Sequence, residues 1–364
     1  MIDLNSLSLE QKVGQVFFIG IPGPELDGAT RELLNTVSPG GVCLFARNIK
    51  TRGQTHKLLH DVRDCLPVIP FLSVDQEGGL VDRLRRIMTP LPAAASITAV
   101  ADAAALGEIV GEVVSILGLN MDFAPVVDVV DDERAKYSNG LFTRPFGHSK
   151  EDVVELAGAF LRSLQDKGVL GCLKHFPGLG AATVDSHEEL PVVDISDAEL
   201  DSIDLYPYRE LLPRVSAVMI GHTAYPKAGL QERDQNGKLL PSSLSKAFVT
   251  TLLREQLGFE GLAITDDLEM GAIIKNYGIG EACKMAVNAG ADMLAICADP
   301  VRIVEGYRAV LSAVQTGEIA KDRINASAAR IATVKSHLPS PPAFDDARLD
   351  QLSAKTAELC SLLG

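Results

Sequence analysis

The 364-residue chain contains no tryptophan and only six tyrosines, and aromatic residues make up 5% of it. A carbohydrate-binding surface built on stacked aromatic rings is therefore not expected, and any sugar site would rest on polar groups. Positive charge is also in short supply. The net charge of −14 argues against a nucleic-acid partner and against an anionic membrane surface. No apolar run approaches the roughly 18 residues a spanning helix needs. The first ten residues lack a basic stretch followed by an apolar core, so no secretory leader is expected. The six cysteines, Cys43, Cys65, Cys172, Cys283, Cys297 and Cys360, form no C-x-x-C pair. Cys43, Cys172 and Cys297 lie inside apolar, strand-like runs, where a thiol packs as a small hydrophobe. Buried free thiols fit a reducing compartment, so a cytoplasmic location is expected.

What is present is a regular alternation. Short apolar runs at 16–21, 42–46, 71–74, 121–130, 172–176, 217–221, 263–265 and 293–297 are bounded by Gly or Pro and read as strands. They are continuous rather than alternating, as parallel strands covered on both faces are. Between them lie helical stretches at about 28–37, 51–65, 99–117, 151–167, 199–212, 245–257 and 280–289, with another at 301–315. Eight such repeats predict an α/β fold of the (β/α)8 TIM-barrel type. An open doubly wound sheet is the alternative, weakened because no G-x-G-x-x-G follows the first strand. Residues 1–337 form the expected barrel domain. Residues 338–364 read as a Pro-rich linker, Pro339-Ser340-Pro341-Pro342, and a terminal helix packed on the barrel.

Barrel enzymes carry their chemistry at the C-terminal ends of the strands. Asp75 ends the third run, Asp128 lies late in the fourth, Lys174 and His175 end the fifth, His222 follows the sixth, and Asp266-Asp267 end the seventh. A barrel would bring these groups to one mouth. Alternation along a strand lets only one of Asp266 and Asp267 face it directly. Asp128 reads as a local hydrogen-bonding residue, and each aspartate could equally cap a turn or helix. Asp185-Ser186-His187 is a further cluster: a carboxylate two residues from an imidazole can orient it and raise its basicity. A Ser-His-Asp hydrolase lacks its G-x-S-x-G elbow here, and metal binding through His175, Asp185 and His187 lacks a supporting spacing.

Lys174-His-Phe-Pro-Gly178 followed by Asp185-Ser-His187, with Asp75-Gln-Glu-Gly-Gly79 upstream and Thr265-Asp-Asp-Leu-Glu-Met270 downstream, resembles the family 3 glycoside hydrolases. Within that family it is most similar to the single-domain β-N-acetylglucosaminidases, over about residues 9–331. The resemblance implies that Asp266 is the catalytic nucleophile. It implies that His187 is the general acid/base with Asp185 as its dyad partner. Asp75, Arg83, Arg144, Lys174 and His175 would be substrate contacts, with no metal and no cofactor. The implied substrate is a small carbohydrate with a terminal β-linked GlcNAc, as in peptidoglycan fragments, and the implied state is a monomer. Two departures stand out. Thr143-Arg-Pro-Phe-Gly147 has Pro145 where relatives commonly have Ser, and the loop after Gly178 reads Leu179-Gly-Ala-Ala182 where relatives often carry His and Asp. Alternatives that remain are phosphorolysis, a β-glucosidase on the same fold, and an inactive sugar-binding barrel.

Overall fold

A computed structural model of the chain describes residues 6–137, 141–182 and 189–363. Eight parallel strands form its centre: β1 (Phe17–Gly20), β2 (Gly41–Leu44), β3 (Phe71–Val74), β4 (Met121–Asp122), β5 (Cys172–Phe176), β6 (Ala217–Ile220), β7 (Leu262–Asp267) and β8 (Met293–Ile296). Their spatial order is β4-β3-β2-β1-β8-β7-β6-β5. The two ends of that order then meet. Leu170 exchanges backbone hydrogen bonds with Asn120 and Asp122, Cys172 donates to Ala124 at 2.8 Å, and Val127 donates to Lys174 at 2.8 Å. A closed ring of strands wrapped in helices is a (β/α)8 barrel, as the alternation predicts.

All eight predicted strands are present. The fourth is regular over only two residues, because Pro125 has no N–H to offer the ladder. Apolar side chains fill the barrel. Phe18 packs on Phe71 with centroids 6.4 Å apart and on Phe123 at 5.0 Å, although the three come from β1, β3 and the end of β4. Rings from strands that are not neighbours can touch only across the interior.

The outer helices begin where the sequence supplies caps. Asp27, Thr51 and Ser149 each accept a hydrogen bond from a backbone N–H of the first turn. Helix Val100–Leu117 lies tightly against Lys150–Asp166, and Gly107 makes that possible: a Cβ there would sit 2.3 Å from the Phe160 carbonyl. The stretch read as a helix over 199–212 is instead broken into short pieces with a π-type turn at Leu200–Asp204, where Asp204 turns inward to Arg134. Helix Lys321–Lys335 was not anticipated. Its contacts are spread over Ile324, Ser327, Ala328 and Ile331, and Ser327 and Arg330 reach the buried Asp292.

The terminal helix Asp346–Leu363 buries Leu349, Leu352 and Leu359 and contacts Val100–Leu117. Arg348 pairs with Glu112 on that helix, and Arg52 reaches Asp346 and Asp350. Among the described residues no helix is long and apolar enough to cross a membrane.

Candidate active site

The C-terminal ends of the strands surround a cavity of about 160 Å³. Drug-sized sites typically span roughly 300–1,000 Å³, so this one suits a single small unit such as one sugar ring. Asp75, Arg83, Arg144, Lys174, His175 and Asp266 all line it. Asp185 and His187 lie outside the described residues.

The charges are paired. Lys174, in the middle of β5, is buried, and its ammonium lies 2.9 Å from Asp75 and 2.5 Å from Glu77. Glu77 also accepts two hydrogen bonds from Arg144, at 2.8 and 2.9 Å. Arg83 approaches Asp75 at 3.6 Å. Burial alone would push the Glu77 carboxyl up, but Lys174 and Arg144 outweigh it and hold the group well below the usual carboxylate range. Burial likewise works against the Lys174 charge, and Asp75 and Glu77 reverse it, so its pKa rises.

Glu77 was not singled out in the sequence. The available signal was its place two residues after Asp75, which an extended chain turns to the same face. It sits on a short antiparallel ribbon, Gln76–Gly78 paired with Val81–Asp82. Buried hydrogen bonds fix this ribbon. Gln76 donates its backbone N–H to Asp122 at 2.9 Å and its amide to Asp82 at 2.7 Å, and Asp82 accepts from Leu91 at 2.9 Å. Gly78, with φ +95°, makes the turn.

His175 is held from both sides. Its Nδ1 lies 2.8 Å from Asp128, and Arg144 approaches its Nε2 at 3.3 Å. Nδ1–H donates to Asp128, and Nε2 faces the Arg144 guanidinium. Asp128 also accepts from Leu179 N–H at 2.6 Å. Its local role is that of an orienting carboxylate, and it does not line the cavity. His222 also stands back from the cavity. Its Nδ1 lies 2.7 Å from the Ser243 hydroxyl and its Nε2 3.0 Å from the Asp267 carbonyl.

Asp266 is the penultimate residue of β7 and lines the same cavity. Burial raises its pKa, but His175, His222 and the Asp267 N–H outweigh that, leaving the carboxyl below its ordinary value. Asp267 is pushed up to about 7 by burial, despite accepting from Glu269 N–H. Contrary to strict alternation, both aspartates line the cavity. The register between β8 and β7 slips between Met293↔Ile264 and Ala295↔Asp267, and that irregularity re-aims the end of the strand.

Two further expectations need adjusting. The site is not wholly polar, because Phe45 and Phe123 line the cavity and Phe45 lies under both Arg47 and Arg83. The apolar loop after Gly178 is partly built into the wall. Leu179 lines the cavity, Ala182 is buried, and the Tyr225 hydroxyl donates to the Gly178 carbonyl. Among the described residues, no group of three His, Cys, Asp or Glu is gathered as a metal site would require.

Comparison with known proteins agrees with this geometry. Residues 8–334 match the family described as "Glycosyl hydrolase family 3 N terminal domain". The chain is 33% identical over 300 residues to a β-hexosaminidase of Tolumonas auensis, covering 80% of this chain and 86% of that protein. It is 34% identical over 288 residues to a β-hexosaminidase of Pseudomonas aeruginosa, covering 77% and 82%. A solved family 3 β-N-acetylglucosaminidase from Paenibacillus sp. superposes with a TM-score of 0.87 at 34% identity, covering 97% of this chain and 69% of that one. With a family match across nearly the whole barrel and a buried, charge-lined cavity at the strand ends, the chain belongs to glycosyl hydrolase family 3 and is a glycoside hydrolase.

Proposed function

We propose that the protein is an exo-acting β-N-acetylglucosaminidase that removes a terminal, non-reducing β-linked GlcNAc with retention of configuration. The observation that carries this is the half-buried Asp266 carboxylate, its pKa held below the ordinary value, at a strand end that lines a cavity with room for about one sugar ring. One Asp266 oxygen attacks the anomeric carbon while His187 gives a proton to the departing glycosidic oxygen. The bond to the leaving group breaks as the bond to Asp266 forms. Water then attacks the same carbon, His187 takes a proton from it, and the Asp266 carboxylate is released. Asp185 keeps the His187 imidazole oriented and basic. Asp75, Arg83, Arg144, Lys174 and His175 hold the sugar hydroxyls.

The similar solved structure, a β-N-acetylglucosaminidase, supports GlcNAc as the sugar, and the β-hexosaminidase relatives are consistent with it. The resemblance favours a peptidoglycan fragment, GlcNAc linked to 1,6-anhydro-N-acetylmuramic acid, as the natural substrate. The six free cysteines fit a reducing, cytoplasmic compartment.

Incubation with a slow 2-fluoro or 5-fluoro GlcNAc donor followed by intact-protein mass spectrometry tests the mechanism. One sugar adduct, mapped to Asp266, is expected. Turnover surviving in Asp266→Ala without any adduct would refute the nucleophile. Running the same assay in phosphate and looking for GlcNAc-1-phosphate separates hydrolysis from phosphorolysis.

A further inference from the structure

A cavity of about 160 Å³ has room for about one sugar ring, so the leaving group is expected outside it. Two segments that line the cavity also carry exposed apolar side chains next to their lining residues. The turn Leu141–Thr143 places Arg144 in the cavity, with Arg144 N–H donating to the Leu141 carbonyl at 2.9 Å. In the same turn Leu141 is buried, while Phe142 is 48% exposed. The ribbon Gln76–Gly78 with Val81–Asp82 places Glu77 and Val81 in the cavity wall, and its tip residue Leu80 is 66% exposed.

The two segments are bridged by a third. A Cβ on Gly79 would lie 2.8 Å from the Ala93 methyl, and the next turn, Ala94–Ser96, packs on Leu141–Thr143. Phe142 and Leu80 therefore both belong to segments packed on one stretch of chain, residues 93–96. Chain geometry keeps Phe142 within about 7 Å of Arg144 at the Cα, and Leu80 adjoins Val81 directly. Leaving a phenylalanine and a leucine in water forgoes burial that the core readily offers elsewhere. In a chain with no tryptophan, an exposed phenylalanine two residues from a cavity arginine is a conspicuous stacking surface.

Resting on the activity proposed above, we propose that Phe142 and Leu80 form the subsite for the leaving group, a second pyranose whose apolar face packs on them. The cavity charges hold the GlcNAc, and the rim selects what it is attached to.

Steady-state kinetics on N,N′-diacetylchitobiose, alongside competitive inhibition by free GlcNAc, separates the two subsites. In Phe142→Ser/Leu80→Ser, KM for the disaccharide is expected to rise about tenfold, with kcat and the Ki of GlcNAc held within about twofold. Phe142→Trp enlarges the stacking face and is expected to lower the disaccharide KM. An unchanged disaccharide KM in both variants would overturn the subsite. Parallel loss of GlcNAc binding in the double variant would also overturn it, since the residues would then support the cavity and not the leaving group. Failure of the unsubstituted protein to bind or release GlcNAc would instead refute the activity itself, and the subsite with it.

Discussion

Glu77 receives two near-parallel hydrogen bonds from Arg144, Nε to Oε2 at 2.8 Å and Nη2 to Oε1 at 2.9 Å. The same carboxylate lies 2.5 Å from the Lys174 ammonium. One buried anion thus joins a ribbon after β3, a turn after β4 and the interior of β5. It compensates both neighbouring cations, Lys174 together with Asp75.

Glu77→Ala should be costly for that reason. It leaves Lys174 and Arg144 short of a partner in a buried site, and breaking such a pair typically costs about 3–5 kcal/mol. Calorimetry should show a clear fall in Tm, accompanied by a drop in kcat/KM. A variant as stable as the parent would mean that Lys174 and Arg144 find compensation without Glu77.

Asp128 acts on the sugar through His175. Its Oδ2 lies 2.8 Å from Nδ1 of the imidazole, and its Oδ1 accepts from Leu179 N–H. Asp128→Ala frees the ring to rotate and loosens the cavity wall, and displacement of such positioning groups can cost about 100-fold in rate. Asp128→Asn keeps one acceptor and should lose less. Equal kinetics for all three proteins would remove the orienting role.

His187 carries the proton in the proposed mechanism. His187→Ala should lower kcat by about 10²–10⁴-fold on substrates with a poor leaving group. The loss should be much smaller for an activated leaving group, and azide should restore turnover of the latter while forming a glycosyl azide. Asp185→Ala should shift the histidine-dependent limb of the pH profile to lower pH, because the carboxylate that favours the imidazolium is gone. A pH profile untouched by either change would place the acid elsewhere.

Lys335 supplies a pH test remote from the cavity. It is buried near the start of the strands, bonded to Gln15 at 2.9 Å and lying over the Phe71 ring at 5.1 Å. Burial lowers its pKa from 10.5 to about 7. The folded protein then binds fewer protons at this site than the unfolded chain between those values. Stability from this group is complete above pH 10.5 and declines as pH falls toward 7. Urea unfolding across that window should show the rise with pH, and Lys335→Met should flatten it. An identical slope in both proteins would show that Lys335 keeps its charge when folded.

Much of the barrel was readable because parallel strands buried on both faces must be apolar throughout. That requirement marks them even at four or five residues, as at Phe71–Val74 and Cys172–Phe176. Helix Lys321–Lys335 escaped because its buried positions include Ser327 and Ala328 and weaken the apolar stripe. The break at Leu200–Asp204 escaped because nothing local reveals that Asp204 will be drawn inward by an arginine 70 residues away.

The site divides in the same way. Sequence alone determined which chemical groups stand at the strand ends, because a strand's end is set by local apolar pattern and by Gly and Pro. That was enough to select Asp75, Lys174, His175 and Asp266, and motif resemblance added Arg83 and Arg144. Tertiary structure alone decided how those groups are paired. Glu77 became the shared anion of Lys174 and Arg144, and Asp128 became the orienting partner of His175. Asp267 shares the cavity with Asp266 because a register slip between two strands overrides alternation. Pairing depends on distances between segments separated by tens of residues in the chain. The balance of burial against charge that sets each pKa exists only once those segments have met.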